Sequence, residues 1–279
     1  MRIAPYWIRE QRVIAGMQMK LRAYSFSSQQ EAQERLEAKA RLLHEFYSSP
    51  GSADDVARLR RGLSSLNDQL SGYSSVITEA VVEQIDEHNV ITRNRYGVEV
   101  LNSTDTCFLD VDDFPAGFME RVRAFFGGAR SGEQRLLETV RTLCRDHESL
   151  SMRVYRTSRG WRIMAEAPGL TPDSPLAAQL FRSLNVDALY ADLCHRQECW
   201  RARLTPKPYR VGMRGVYPQP AEPGEADAAA AEWLAAYRAH CEGKAVCRLV
   251  DSFGSAVNNR VVQEHDARTL ALRQEYPLA

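Results

Sequence analysis

The chain reads as an α+β protein, with helices gathered near the front and mixed strands and helices behind. Three observations predict this. An opening hairpin is followed by helical periodicity, and from Asn89 the apolar period shortens to two. Thereafter short strand-like runs alternate with amphipathic segments. The 279 residues are 44% hydrophobic and 26% charged, enough apolar material for a sizeable core and too much for wholesale disorder.

The first element expected is a hairpin, Tyr6–Ile14 and Met17–Tyr24, turning at Ala15-Gly16. Ser28, with Glu31 three residues on, marks a helix start, and that helix should run to about Tyr47. Pro50-Gly51-Ser52 breaks it before a second helix from about Ala53 to Leu70. A short amphipathic third is expected near Val76 to His88. Three strands then follow, at Val90–Arg93, Tyr96–Leu101 and Thr106–Val111, and two helices, near Pro115–Phe126 and Gly132–Asp146. A second hairpin pairs Met152–Thr157 with Gly160–Ala165. Helices near Pro175–Leu184 and Val186–His195 precede a strand at Cys199–Leu204. After a Pro/Gly-rich loop come an Ala-rich helix, a strand at Val246–Val250 and a helix near Val261–Gln274. The organisation expected is residues 1–88 as a hairpin and helical segment, and residues 89–279 as an α+β core with a helix-strand-helix extension, the alternative being one compact domain.

No stretch reaches the roughly 18 consecutive apolar residues of a membrane span, and the N-terminus carries no apolar run of signal type. A cytoplasmic protein that makes no membrane contact is expected. Six cysteines in a chain of this length do not form a disulfide framework. Cys194-His195, Cys199, His240-Cys241 and Cys247 lack zinc-site spacing. Walker and Rossmann fingerprints are absent, which leaves the ordinary nucleotide-binding folds unsupported. The 36 basic residues balance 36 acidic ones, but unevenly: Ser151–Arg214 holds eleven basic and five acidic residues.

Three segments carry chemistry. In Cys107-Phe108-Leu109-Asp110-Val111-Asp112, period two places Asp110 and Asp112 on one face at a strand's end. Such carboxylates repel unless a hard divalent cation, such as Mg²⁺ with substrate phosphates, lies between them; the alternative is that they cap a following helix. In Arg156-Thr157-Ser158-Arg159-Gly160-Trp161-Arg162, the residues Arg156, Ser158 and Arg162 are phosphate donors around a glycine that permits close approach; the alternative is an exposed arginine-rich hairpin. In the third, Asp187 and Tyr190 precede Trp200-Arg201-Ala202-Arg203, where Arg201 and Arg203 share a face, and then Lys207 between two prolines and Arg210. The alternative there is an edge strand with its basic face in water.

In this order the three segments resemble the archaeo-eukaryotic primase superfamily, the catalytic module of primases and primase-polymerases, over about Asn89 to Arg210. Cys107 to Asp112 is similar to its first, acidic motif. Val186-Asp187, Tyr190, Arg196, Trp200-Arg201 and Lys207 are similar to the third. At the second, Arg162 stands where the family has a histidine, a change that keeps a group able to hold a triphosphate. The stretch Arg203-Leu204-Thr205-Pro206-Lys207-Pro208-Tyr209-Arg210 also resembles one found in bacterial proteins without an assigned function.

The resemblance implies an RRM-like, primase-like core and a nucleotidyltransferase using Mg²⁺ or Mn²⁺, nucleoside triphosphates and a DNA or RNA template in replication or repair. Asp110, Asp112 and Asp187 would hold metal, with Asp251 the alternative third acid. Arg156, Ser158, Arg162 and Lys207 would bind the nucleotide, and Arg201, Arg203 and Arg210 phosphates or template. Two other readings stay open: a catalytically inert relative that binds nucleotides or nucleic acid, and a structural or interaction protein.

Overall fold

A computed structural model describes residues 1–48, 51–66, 74–113, 132–225, 227–255 and 259–279. Its strands are β1 (Tyr6–Ile14), β2 (Met17–Ser25), β3 (Ala80–Gln84), β4 (Asn89–Arg93), β5 (Glu99–Ser103), β6 (Cys107–Asp112), β7 (Ser151–Thr157), β8 (Gly160–Glu166), β9 (Trp200–Arg203) and β10 (Cys247–Phe253). The helices are α1 (Gln29–Ser48), α2 (Ala53–Ser65), α3 (Gly132–Asp146), α4 (Pro175–Ser183), α5 (Ala188–Gln197), α6 (Ala228–Cys241) and α7 (Arg260–Thr269). The protein is therefore a mixed α+β fold with antiparallel sheets. The helix expected at Pro115–Phe126 lies outside the described residues, as does the last part of the one expected to reach Leu70.

The chain forms two compact units, Met1–Ala80 with Val216–Ala235, and Val81–Gly215 with Ala236–Ala279. The expected division near residue 88 thus moves to residue 80, and a later segment joins the first unit. Long-range pairing makes the difference: Arg9 donates its N–H to the Ala221 carbonyl at 2.8 Å.

In the first unit β1 and β2 pair from Tyr6↔Ser25 to Ile14↔Met17. Their turn places Ala15 at φ 46° and Gly16 at φ 82°, the doubly left-handed backbone whose twist suits a two-residue hairpin. α1 lays Ala32, Leu36 and Leu43 against Ile8, Ile14 and Leu21, and α2 adds Leu59 and Leu63. Ser52 and Asp55 close a reciprocal capping box at the start of α2.

The helix expected at Val76–His88 is not formed. Ile77 bridges in parallel to Ile3, and Ala80–Gln84 is a strand at the edge of a four-stranded sheet ordered β3-β4-β5-β9. The β-branched Val81 and Val82 suit a strand, and pairing with β4 outweighed the weak helical period.

A second sheet in the same unit runs β10-β7-β8-β6, antiparallel throughout. α3 covers β7 and β10, burying Leu136, Val140 and Leu143 at helical spacing. The edge strands β6 and β9 of the two sheets lie side by side. Tyr190 of α5 joins them: its hydroxyl donates to the Phe108 carbonyl of β6 and accepts the Arg201 N–H of β9 at 3.4 Å.

Candidate functional site: a basic cavity beside Asp110

β6 and β8 are in register at Asp110↔Arg162 and Asp112↔Gly160, so the first two chemical segments meet on adjacent strands. Asp110 and Asp112 occupy alternate positions of β6 and both line a cavity of about 230 Å³. Around it stand Arg162 from β8, Arg159 from the β7–β8 turn, Arg203 from the end of β9, and Lys207 and Arg210 from the loop that follows. Five basic side chains thus face two acidic ones.

Arg162 is the fixed point of the site. Only 1% of it is exposed. Its Nε donates to Asp110 Oδ1 at 3.0 Å and its Nη1 to the Arg203 carbonyl at 2.7 Å. The same Nη1 lies 3.4 Å from His265 Nε2 of α7. A guanidinium only donates, so His265 Nε2 must accept; its proton is therefore on Nδ1, 3.0 Å from Asp266 Oδ1. Asp266 also accepts from the Tyr155 hydroxyl at 2.9 Å and from Arg153 at 2.6 Å. A buried chain of polar groups therefore runs from α7 through Arg162 to the cavity.

Burial raises the Asp110 carboxyl, but the charges of Arg162 and Arg203 outweigh it and hold the group below its ordinary value. Arg203 Nη2 stands 3.7 Å from Asp110 Oδ2, and burial lowers the Arg203 guanidinium although Asp110 opposes this. Burial, then the neighbouring Arg203, lowers the Lys207 ammonium. The Lys207 loop is pinned by the Tyr237 hydroxyl donating to the Pro206 carbonyl and by the Arg210 N–H donating to the Lys207 carbonyl at 2.9 Å. Arg210 Nη1 donates to Ser158 Oγ, which ties the hairpin turn to the basic loop.

His265 supplies a pH dependence. Burial holds the imidazole below its ordinary value of 6.5; Asp266 opposes this, while Arg162 and Arg153 add to it. Cys247 Sγ, 3.9 Å from Nε2, and the rings of Tyr155 and Phe108 complete its surroundings. The folded protein therefore binds fewer protons than the unfolded chain once the pH drops under 6.5. Stability is complete above that value and is lost as pH falls, by up to about 2 kcal/mol between pH 7 and pH 5. Thermal melts across this range should show the loss in the wild type and a flatter profile in His265→Gln.

Several expected site residues lie elsewhere. Arg156 is opposite Trp161 in the β7–β8 register, on the sheet face away from Arg162. It binds Asp113 through both Nη atoms, packs over the Trp161 ring at 4.7 Å, and does not line the cavity. Asp187 is the N-cap of α5, its Oδ1 accepting the Leu189 N–H at 2.8 Å, and is likewise outside the lining. Asp251 pairs with Val154, and β10 is three strands from β6, about 14 Å at ordinary strand spacing. Neither acid joins Asp110 and Asp112. Arg201 donates to Gln197 Oε1 at 3.0 Å and also lies outside the cavity.

Gly160 lines the cavity, and the close approach of β6 requires its lack of a side chain. A Cβ there would lie 2.3 Å from the Val111 carbonyl oxygen and 3.0 Å from Asp112 Cα. Gly160→Ala should cost about 1–3 kcal/mol by forcing β6 and β8 apart, measurable by denaturant unfolding. Reading the sequence alone also missed His265, a lone helical histidine, and Arg159 and Thr205 of the lining. The position of Arg159 and Thr205 in one basic, turn-rich stretch was the available signal.

Among the described residues, no three His, Cys, Asp or Glu side chains gather as metal ligands. All six cysteines are free thiols. No helix among them is long and apolar enough to cross a membrane. No protein-family model matches the chain, and searches of curated proteins and of solved structures return no match.

Proposed function

We propose that the protein binds the phosphate tail of a nucleotide in the cavity beside Asp110, as a divergent relative of the primase-polymerases. The single observation that carries this is the lining: Arg159, Arg162, Arg203, Lys207 and Arg210 against Asp110 and Asp112, an excess of three positive side-chain charges around one cavity. Arginine guanidinium groups match phosphate oxygens two at a time, and the held loop of Lys207 presents a preset charge.

The chain order β6, α3, β7, β8, α4–α5, β9, with β6 between β8 and β9, supports an RRM-like, βαββαβ reading of the core. Nucleotidyl transfer is a second reading, favoured by Asp110 and Asp112 side by side at the cavity. The residues present do not fit the three-carboxylate, two-ion centre which that reading needs. Asp187 caps a helix, and Asp110 is already bonded to Arg162. Binding is therefore the function proposed, without a metal-borne step.

The test is equilibrium titration with ATP, inorganic tripolyphosphate and adenosine. ATP and tripolyphosphate should bind with affinities that weaken steeply with salt, as ion release requires, and adenosine should bind far more weakly. Equal binding of adenosine and ATP would place recognition outside the cavity, and no binding of any of the three would remove the proposal.

A further inference from the structure

We propose that the arginines of this cavity do the work a divalent cation would otherwise do, so that polyphosphate binds metal-free and Asp110 acts as an internal anion competing with it. This rests on the nucleotide-binding reading and narrows the ligand to polyphosphate without Mg²⁺.

Two carboxylates on one strand face need a positive charge near them. Here that charge is guanidinium. Arg162 Nε is bonded to Asp110 Oδ1, and Arg203 Nη2 stands 3.7 Å from Oδ2. The two arginines differ in freedom. Arg162 is buried and held on three sides by Asp110, the Arg203 carbonyl and His265. Arg203 is 37% exposed by side chain and sits beyond hydrogen-bond length from the carboxylate, so its guanidinium can turn to a phosphate while Arg162 keeps Asp110.

The field of the lining has the same consequence. A divalent cation entering among five basic and two acidic side chains is repelled, whereas a polyphosphate is attracted. Chelation by Mg²⁺ removes two of the tail's negative charges, so the chelated form should bind less tightly. A metal-ligand role for Asp110 and one as competing anion therefore predict opposite signs for the same substitution.

The experiment is calorimetric titration of ATP into the full chain, in EDTA and in excess MgCl₂, with wild type, Asp110→Asn and Asp112→Asn. Asparagine keeps an oxygen for the Arg162 Nε–H, and Asp112 is exposed, so the second variant tests the charge even if the first fails to fold. Wild type should bind in EDTA and about three- to tenfold more weakly in MgCl₂. Each variant should bind ATP about three- to tenfold more tightly than wild type, the effect of removing one negative charge a few ångströms from the tail. Binding that requires MgCl₂ and is lost in either variant would overturn the inference and leave nucleotide binding standing. No binding by wild type in either buffer would overturn the nucleotide reading itself.

Discussion

Replacing Arg162 by methionine is expected to lower the stability of the second unit by about 3 kcal/mol, the low end of the loss when one partner of a buried ion pair is removed. Methionine fills much of the volume, so the loss is polar rather than a cavity effect. Three acceptors lose their donor together: Asp110 Oδ1, the Arg203 carbonyl and His265 Nε2. Asp110 is 36% exposed by side chain and can recover some hydration, which keeps the figure from the top of the range. For a unit of this size the thermal midpoint should fall by roughly 6–12 °C. Arg162→Lys should recover little of this, because one ammonium cannot reach the partners of both Nε and Nη1. A methionine variant melting within about 2 °C of wild type would show that the buried guanidinium is replaceable by apolar packing.

The double substitution Arg203→Ala/Lys207→Ala is expected to weaken ATP binding about a hundredfold, near 2.7 kcal/mol. Each group removes a charge-assisted contact, worth about 1.5 kcal/mol when partly exposed, and the side-chain excess in the lining falls from three to one. The slope of log affinity against log salt should become shallower by one to two. Arg156→Ala is the control: its guanidinium lies on the opposite sheet face, engaged with Asp113, and affinity should stay within about twofold. A loss in Arg156→Ala matching that of the double variant would move the binding surface to the other side of the sheet.

Much of the fold was legible in the residues themselves. The β1–β2 hairpin is written in Ala15-Gly16 and its flanking strands, α1 in Ser28 and Glu31, and β7–β8 in two alternating runs around Ser158-Arg159. These are local features: turn chemistry, caps and periods act over a few residues and need no distant partner. The basic character of the stretch from Ser151 to Arg214 and the shared face of Asp110 and Asp112 are of the same kind.

Other features depended on which strands and helices meet. Val81 and Val82 became a strand because β4 offered an edge. Val216–Ala235 joined the first unit through contacts more than two hundred residues apart in sequence. At the site, the family resemblance offered Asp187 as the third acid, and the end of an apolar run, Leu249-Val250, offered Asp251 as the alternative. Strand order put Asp251 three strands away, and the start of α5 took the Asp187 carboxylate as its cap. Register likewise divided Arg156 from Arg162, placing one beside Asp113 and the other in the interior with Asp110 and His265.

The amino-acid sequence by itself thus determined most of the elements, the acidic pair and the concentration of arginine, because backbone preference and side-chain period are short-range. Only the tertiary structure decided that Asp110 and Asp112 meet guanidinium groups rather than a third carboxylate. A charge that leaves water takes whatever partner the packing of distant strands brings within hydrogen-bond reach, and no local spacing encodes that choice.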